Sequence, residues 1–315
     1  MSTVVSAPGK LMISGEYAVL EGAEAIVAAV SRRVRVWLSD DDDQGDASGP
    51  VPPEAAAARA AAERYFGSHS GHLGVDVRAT RMGDQKLGVG SSAAAAAAAA
   101  GLIAARAGQD LDDPPVRRRV LEAALEGHTA VAPRGSGADV ATSTLGGFVR
   151  FRRRGGNIEC DSVRFPEALQ VHVVWTGKQV RTSDMLDRVD ALKQSNPNRY
   201  IAAMDGLRSA SEAFSAAVGR GDPGRIVEAA RGYHGAMRDL GRVAGAGIVD
   251  DTLERIADLA ATAGGAAKPS GAGGGDVALA LFPNGASSAK FVAACEGEGL
   301  HVVEMALGVV GVRTE

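Results

Sequence analysis

The amino-acid sequence predicts an α+β protein, and three observations support this prediction. Strand-like apolar runs such as AIVAAV and RVRVWL occur in the same half of the chain as segments with helical signals. The other half combines several amphipathic helical patterns with the later strand-like runs VALALF and HVVEMAL. With 315 residues and 45% hydrophobic composition, the chain can bury a substantial core. We therefore expect a globular protein with both helices and sheets.

The N-terminal elements are predicted from local signals. Strand-like runs flank APGK, which we interpret as a turn at residues 7–10, and the acidic run Asp40–Asp43 predicts a solvated loop. A helix is predicted over Pro53–Phe66, because proline favours the first helical turn and Gly67 favours its end. The alternation in GVDVRAT then predicts a strand.

The run Ala93–Ala100 predicts the next helix, because alanine has the highest intrinsic helix propensity. Two glycines and two serines in LGVGSS precede it. The first backbone N–H groups of a helix have no intrahelical partner and its N-terminus carries a partial positive charge, so this position favours an anion such as phosphate. From these residues alone, a glycine turn that leads into a buried alanine helix is an equal alternative.

The middle of the chain predicts a domain boundary. A helix over Pro114–Glu126, with Asp113 as N-cap, and the turn APRGSGAD lead to the strand-like GGFVRFR. The polar RRRGGN and the Phe165-Pro166 break follow. We predict one domain over residues 1–160 and a second over residues 161–315.

The second domain is predicted to begin with the strand LQVHVVW. Helical patterns then extend over residues 183–263, with breaks at Asn196-Pro197, residues 219–223 and residues 245–247. These amphipathic helices need a partner sheet. We expect it from VALALF, HVVEMAL and the final VVGVR, with a short helix over Ser287–Glu296.

Composition excludes several classes of function. A net charge of −4, from 34 basic and 38 acidic residues, argues against nucleic acid as the main partner. No uninterrupted apolar segment is long enough to span a bilayer, and MSTVVSAPGK lacks a basic leader with an apolar region, so we expect a cytoplasmic protein without a membrane partner. Cys160 and Cys295 are isolated, and the histidines show no ligand-like spacing, which gives a disulfide framework or structural metal little support.

Three glycine-rich motifs, taken in order, carry more information than any one of them. They are APGKL with the following GEY, KLGVGSSA, and KPSGAGGGD. The second fits neither G-x-x-x-x-G-K-[ST] nor G-x-G-x-x-G. In order and spacing, the three resemble the motifs of the GHMP small-molecule kinases over nearly the whole chain. The resemblance implies a two-domain GHMP kinase fold, with a ribosomal-protein-S5-like N-terminal domain and a ferredoxin-like C-terminal domain.

Within that family, several segments are most similar to the enzymes that phosphorylate 5-phosphomevalonate. These segments are KLGVGSS, GSGADV, WTG with the following TSD, and KPSGAGGGD. Kinases of mevalonate usually show P-S-G-x-D where this chain has GSGAD. Two departures from the family pattern are Val89 in place of leucine and GGGDV at a place where cysteine often follows the aspartate.

The resemblance also implies a role for individual residues. ATP phosphates would be held by Gly88, Val89, Gly90, Ser91 and Ser92. Catalytic charge and positioning would come from Lys10, Lys86 and Asp139. Acceptor contacts would come from Lys10, Tyr17, Ser136, Thr182, Ser183, Ser270, Gly271, Gly273 and Gly274. Mg²⁺ would be held by Ser92 and Glu126, and Lys268 would add a positive charge.

Each of these residues also has an ordinary structural alternative. Ser92 is suited to N-capping, Asp139 to capping a helix entered at Val140, and Lys86 and Glu126 to solvated surface positions. The third motif is also compatible with a flexible linker. At the level of the protein, the alternatives are a kinase of mevalonate, another GHMP kinase and a non-catalytic metabolite sensor. We expect a monomer or a homodimer that acts on a small molecule.

Overall fold

The computed structural model describes residues 3–39, 47 and 49–315. The predicted loop Asp40–Asp43 lies outside these residues. In the described chain, the strands in order are β1 (Val4–Ser14), β2 (Ala25–Ser39), β3 (His72–Asp76), β4 (Arg81–Met82), β5 (Gln85–Lys86), β6 (Phe148–Arg154), β7 (Asn157–Val163), β8 (Gln170–Trp175), β9 (Ala266–Ser270), β10 (Val277–Phe282), β11 (His301–Val303) and β12 (Arg313–Thr314). The helices in order are α1 (Pro53–Phe66), α2 (Ser91–Arg106), α3 (Pro114–Val131), α4 (Ala138–Leu145), α5 (Thr182–Ser195), α6 (Pro197–Arg220), α7 (Pro223–Ala244), α8 (Asp251–Thr262) and α9 (Gly285–Gly297).

The chain forms two compact units whose segments alternate along the sequence. Unit 1 contains Met1–Leu11, Val27–Phe151 and Ala306–Glu315. Unit 2 contains Met12–Ile26 and Arg152–Met305. The predicted boundary divides the chain once, at residue 160, whereas each compact unit also takes a short segment from the opposite part of the chain. The predicted α+β class is confirmed.

Unit 1 is organised around the alanine helix α2. Every residue from Ala93 to Ala104 is fully buried, and α2 packs against α1, α3 and α4. Methyl side chains allow this close approach. Gly127 of α3 shows how close the helices lie, since a Cβ there would lie 2.2 Å from the backbone nitrogen of Ala58 on α1. The sheet of this unit includes β12, β1, β2 and β6 in that order, with β3 paired to β2.

Unit 2 has the ferredoxin-like strand order. Its sheet runs β11-β8-β10-β9, with antiparallel pairing throughout. Along the chain, β8 is followed by α5–α8, then by the β9–β10 pair, α9 and β11. This is a β-α-β-β-α-β plan in which several helices occupy the first helical position. Helices α7 and α8 pack on β9 and β10, and Phe282 and Phe291 meet with ring centroids 5.0 Å apart.

The structure confirms most predicted helices. Helix α1 has the predicted bounds, α2 includes the alanine run, and α5–α8 are separated at the predicted breaks. Helix α3 extends five residues beyond its predicted end, to Val131. Glu126 therefore lies inside α3 rather than at its end.

The strand predictions need more correction. APGK is part of the continuous strand β1, not a turn. The predicted boundary around residues 155–166 contains β7, and KPS at the start of the third motif belongs to β9. GVDVRAT is strand only to Asp76, and HVVEMAL only to Val303. The final VVGVR contributes β12 to unit 1, where it pairs with β1, and not to the second sheet.

Candidate active site

The entrance of α2 in unit 1 has the geometry of an anion-binding loop. Gly90 is the left-handed N-cap of α2 with φ of 73°, and Gly88 has the same φ. The first helical hydrogen bond runs from the Ala94 amide to the Gly90 carbonyl, at 3.1 Å. The amides of Ser91, Ser92 and Ala93 therefore precede the ladder and have no intrahelical acceptor. With the helix dipole, they favour a bound phosphate.

Lys10 lies directly against this loop. Its backbone amide donates to the Val89 carbonyl at 2.7 Å. A Cβ added to Gly90 would lie 2.9 Å from Lys10 Cε and 3.0 Å from its Cγ. The lysine stem thus packs over a position where only glycine leaves room, and strand β1, rather than the predicted turn, positions it. The structure brings Lys10 and the loop together.

The two predicted Mg²⁺ ligands have different surroundings. Ser92 Oγ lies 3.4 Å from Nε2 of His128, a residue of α3 that is nearly buried. The carboxylate of Glu126 is instead exposed and pairs with Arg64 of α1. Within the described ranges, no cluster of three or more histidine, cysteine, aspartate or glutamate residues could hold a metal. Ser92 thus offers a hydroxyl oxygen at the loop, whereas the carboxylate of Glu126 is engaged by Arg64.

The remaining predicted residues of unit 1 lie on short elements. Asp139 is the second residue of α4, and its Oδ1 accepts from the Val140 amide at 2.9 Å. Ser136 Oγ accepts from the Ala138 amide at 3.2 Å, so it helps to begin the same helix. Lys86 is exposed on β5, opposite Arg81 in a two-stranded hairpin. Because α4 begins at Ala138 with Gly137 as its N-cap, Asp139 lies inside the first turn and does not cap a helix entered at Val140. Its carboxylate keeps further acceptor capacity.

Unit 2 contains a fully buried ion pair that sequence reasoning did not identify. Lys268 of β9 points its Nζ at Oε1 of Glu16, and both side chains have an exposed fraction of 1% or less. The same Nζ donates to the Pro269 carbonyl at 2.6 Å and lies 5.3 Å from the ring centroid of Tyr233. The Tyr233 hydroxyl donates to the Glu16 carbonyl at 2.9 Å. Lys268 is thus a buried structural cation in this structure, rather than the extra charge expected in the loop.

Burial has the largest effect on the pKa values of Glu16, Lys268 and Tyr233. Desolvation raises the pKa of Glu16, against the charge and hydrogen bond of Lys268, which lower it. Desolvation lowers the pKa of Lys268, against the opposing effect of Glu16. The pKa of Tyr233 is raised well above its ordinary value by burial and by the charge of Glu16. Glu16 Oε2 is buried and has no hydrogen-bond partner among the described residues, so the pair is an energetically demanding arrangement.

The glycine-rich turn after β9 is attached to the same region. The Tyr17 hydroxyl donates to the Ala272 carbonyl at 2.5 Å, and Ser270 Oγ donates to the Met12 carbonyl at 3.1 Å. Tyr17 has a positive φ of 60°, which is unusual for a non-glycine residue. Burial raises the pKa of its hydroxyl. These contacts bring together Tyr17 and Ser270, two of the predicted acceptor residues.

The turn itself requires glycine at two positions. A Cβ at Gly273 would lie 2.2 Å from the Ile248 carbonyl oxygen, and one at Gly274 would lie 2.5 Å from Met185 Cε. Gly274 donates its amide to the same Ile248 carbonyl at 2.8 Å. The segment is therefore packed at this end, in contrast to a flexible linker.

Thr182 and Ser183, the other predicted acceptor residues of unit 2, begin α5. Ser183 Oγ donates to Asp184 Oδ1 at 3.1 Å, and both predicted residues are exposed. Their hydroxyls lie in the first helical turn.

Sequence reasoning missed Glu16 and His128. Glu16 stands in the quoted GEY segment, but its partner Lys268 is 252 residues away. His128 is separated from Ser92 by 36 residues. No periodicity or local motif marks either pairing, and the only available signal for Glu16 was a carboxylate within a motif.

Several known proteins are similar to this chain over most of its length. A model of the GHMP kinases N terminal domain matches residues 55–147. A phosphomevalonate kinase from Streptomyces sp. (strain CL190) is 30% identical, over 89% of this chain and 90% of that protein. A mevalonate kinase from Aeropyrum pernix is 29% identical, over 95% of this chain and 98% of that protein. The structure of Streptococcus pneumoniae phosphomevalonate kinase with phosphomevalonate and AMPPNP has a TM-score of 0.78 at 18% identity, over 96% of this chain and 99% of that chain.

Proposed function

This chain belongs to the GHMP kinases, and from that premise we propose that it transfers the γ-phosphoryl group of ATP to the phosphate of (R)-5-phosphomevalonate. The product would be the 5-diphosphate, an intermediate of isoprenoid synthesis. The single observation that carries the choice of acceptor is the 30% identity to a phosphomevalonate kinase over 89% of the chain. That the chain is a phosphotransferase follows from its family.

ATP binding is assigned to the entrance of α2. The amides of Ser91, Ser92 and Ala93 offer donors without reorganisation, and glycine at residue 90 leaves room for the stem of Lys10. Phosphoryl transfer leaves the protein little covalent work, so catalysis consists mainly of positioning and charge stabilisation. Preorganised backbone donors perform both tasks.

Two lysines supply positive charge in this proposal. Lys10 lies against the loop, and Lys86 precedes it on an exposed hairpin. An ammonium group near the transferring phosphoryl oxygens stabilises the charge that they gain. Mg²⁺ would add further charge neutralisation, and we assign an oxygen ligand for it to Ser92, the second residue of α2. Glu126 is engaged by Arg64, so we assign no step to a metal.

The acceptor needs little activation. A phosphate monoester has a second pKa of about 6 and is largely dianionic at neutral pH. One of its oxygens forms the new bond to the γ-phosphorus as the bond to the ADP oxygen breaks. Asp139 therefore acts by orienting the acceptor or Lys10, with proton removal as the alternative. The acceptor roles of Tyr17, Ser136, Thr182, Ser183, Ser270, Gly271, Gly273 and Gly274 are part of the same proposal and rest on the family resemblance.

Mevalonate phosphorylation is the second candidate. It is favoured by the 29% identity to the Aeropyrum pernix mevalonate kinase, over almost the same length of chain. A coupled ADP-release assay with phosphomevalonate, mevalonate, homoserine, galactose and no acceptor separates the candidates. ADP release that depends on phosphomevalonate supports the proposal. ATP turnover that depends on none of these acceptors contradicts a catalytic role in this pathway.

A further inference from the structure

A short strand and turn in unit 2 are held to the segment Met12–Tyr17 by hydrogen bonds at alternate residues. From residue 268 onward, the contacts are Lys268 with Glu16, Ser270 with the Met12 carbonyl, and the Ala272 carbonyl with Tyr17. The amide of Gly271 also acts on the Glu16 carboxylate and lowers its pKa. The anchor therefore extends from the strand into the first half of the glycine-rich turn.

The far end of the turn is fixed separately. Gly274 donates to the Ile248 carbonyl at 2.8 Å, and the Asp276 amide donates to the Lys178 carbonyl at 2.8 Å. Between these two attachments, Gly271, Gly273 and Gly274 have φ values of 92°, 76° and 75°. Glycine loses more conformational entropy on ordering than any other residue, so an untethered segment of this composition would sample many conformations.

A buried ion pair carries a large desolvation penalty. Apolar residues of similar volume often give equal or greater stability, whereas loss of one charged partner is strongly destabilising. Glu16 and Lys268 are both almost completely buried, and one carboxylate oxygen has no partner in the described part of the chain. Beyond packing, the pair provides directed hydrogen bonds. Lys268 Nζ also donates to the Pro269 carbonyl at 2.6 Å and to the Met12 carbonyl at 3.5 Å, which ties the end of β9 to the segment Met12–Tyr17.

We propose that Glu16 and Lys268 are positioning residues that hold the turn at Gly271–Gly275 in the conformation that receives the phosphoryl acceptor. This inference rests on the proposed function, because it takes the turn as part of the acceptor site. Neither residue touches the reacting atoms. Their effect is to remove the ordering cost that a mobile turn would add to each binding event.

The consequence is a selective kinetic change. Loosening the turn raises KM for the acceptor and leaves KM for ATP nearly unchanged, because the α2 entrance belongs to unit 1 and keeps its own contacts. A purely structural role for the pair would instead make every kinetic change follow the loss of folded protein.

The test uses the full-length protein with Lys268→Met, Glu16→Gln and the double variant. Removing both charges together avoids an uncompensated buried charge, so the double variant should recover most of the melting temperature that Lys268→Met loses. Its KM for phosphomevalonate should remain at least about fivefold above that of the wild type, with KM for ATP within about twofold. Phe291→Leu, which removes buried volume against Phe282 away from the turn, is the matched destabilised control and should leave both KM values unchanged.

A milder variant keeps the test decisive if the charge variants fold poorly. Tyr233→Phe retains the ring beside Lys268 but deletes the hydroxyl that donates to the Glu16 carbonyl and accepts from the Gly15 amide at 3.1 Å. It should raise the acceptor KM by roughly threefold, in the same selective manner. Recovery of a wild-type acceptor KM together with the melting temperature in the double variant would overturn the proposal.

Amide hydrogen exchange separates this inference from the proposed function. Faster exchange over residues 271–275 in the double variant, but not in Phe291→Leu, supports the positioning role whatever the acceptor is. Unchanged exchange in the double variant overturns it. A wild-type protein that does not use phosphomevalonate would contradict the proposed function and leave the exchange result to decide the positioning role.

Discussion

The α2 entrance of unit 1 and the glycine-rich turn of unit 2 are both fixed glycine segments, but different forces fix them. The α2 entrance is held by apolar packing, because every residue from Ala93 to Ala104 is buried and none of them is charged. The glycine-rich turn is held by the buried Glu16–Lys268 pair and by side-chain hydrogen bonds from Tyr17 and Ser270. Small apolar residues make the α2 entrance rigid because the helices can pack closely. The ion pair and the hydrogen bonds make the turn rigid because their geometry is directional.

This difference decides what each region tolerates. Close packing of alanines leaves no space for added atoms, so the α2 region is sensitive to larger side chains. The buried pair is sensitive to loss of one partner, because the other charge is then left without compensation.

Gly90→Val should abolish measurable ATP binding and leave unit 1 folded. A valine would need φ near 73° and would place its Cβ 2.9 Å from Lys10 Cε. Nucleotide titration measures the effect. Gly108→Val is the matched control, since Gly108 has φ of 74° with nothing within 4 Å of an added Cβ. Unchanged ATP affinity in a folded Gly90→Val protein would show that this loop does not bind the phosphates.

Asp139→Asn should lower kcat with little change in ATP affinity. The amide oxygen of asparagine can still accept from the Val140 amide, so the start of α4 is retained while the charge is lost. A fall of about 100-fold or more, equivalent to about 2.7 kcal/mol, indicates proton transfer, and a smaller fall indicates orientation of an acceptor that is already ionised. Wild-type turnover would leave Asp139 with only its hydrogen bond to the Val140 amide.

Ala96→Leu should destabilise the protein by about 1 to 3 kcal/mol through overpacking, because Ala96 is fully buried in α2. Urea unfolding measures the loss. Ala56→Leu adds the same atoms at an exposed position of α1 and should change the free energy of unfolding far less. Equal stability of both variants would mean that α2 tolerates bulk and that close packing does not fix its entrance.

Glu21→Gln should have the smallest effect, because Glu21 belongs to an exposed ion pair with Lys193 and not to the buried Glu16–Lys268 pair. Glu21 accepts from Tyr200 at 2.6 Å and pairs with Lys193 at 3.0 Å, and 36% of its side chain is exposed. An exposed pair of this kind contributes less than about 1 kcal/mol.

The pH dependence of this variant has a definite sign. The hydrogen bonds from Tyr200 and Lys193 hold the pKa of Glu21 below its usual 4.5. A lowered carboxyl pKa stabilises the fold above 4.5, and this contribution is lost as pH falls through the folded-state value. The stability difference between wild type and Glu21→Gln should therefore be present at neutral pH and disappear in acid. A difference that grows in acid would contradict this assignment.

The same contrast explains what could be predicted from the sequence. Helix α1 and the helices α5–α8 were predictable because their proline, glycine and N-cap signals are local. The LGVGSS loop was predictable for the same reason, since contiguous residues form both the loop and the helix behind it.

Features built from distant residues were not predictable in this way. APGK has the composition of a turn but pairs as strand, since the partners of β1 come from other parts of the chain. Strand β12 could not be assigned to unit 1 from VVGVR alone, because Val5 pairs with Thr314. Lys268 was recognised as a charge, but its burial depends on Glu16, 252 residues earlier.

The proposed acceptor is tested most directly by the ratio of kcat/KM for phosphomevalonate to that for mevalonate, measured with wild-type protein in one coupled ADP-release assay. Phosphomevalonate carries an additional phosphate, and a charge-assisted contact in a protected site is worth about 2 to 5 kcal/mol. We predict a ratio of at least about 100, equivalent to about 2.7 kcal/mol of differential transition-state binding. Comparable values, or a preference for mevalonate, would contradict the proposed acceptor and favour mevalonate phosphorylation on the same fold.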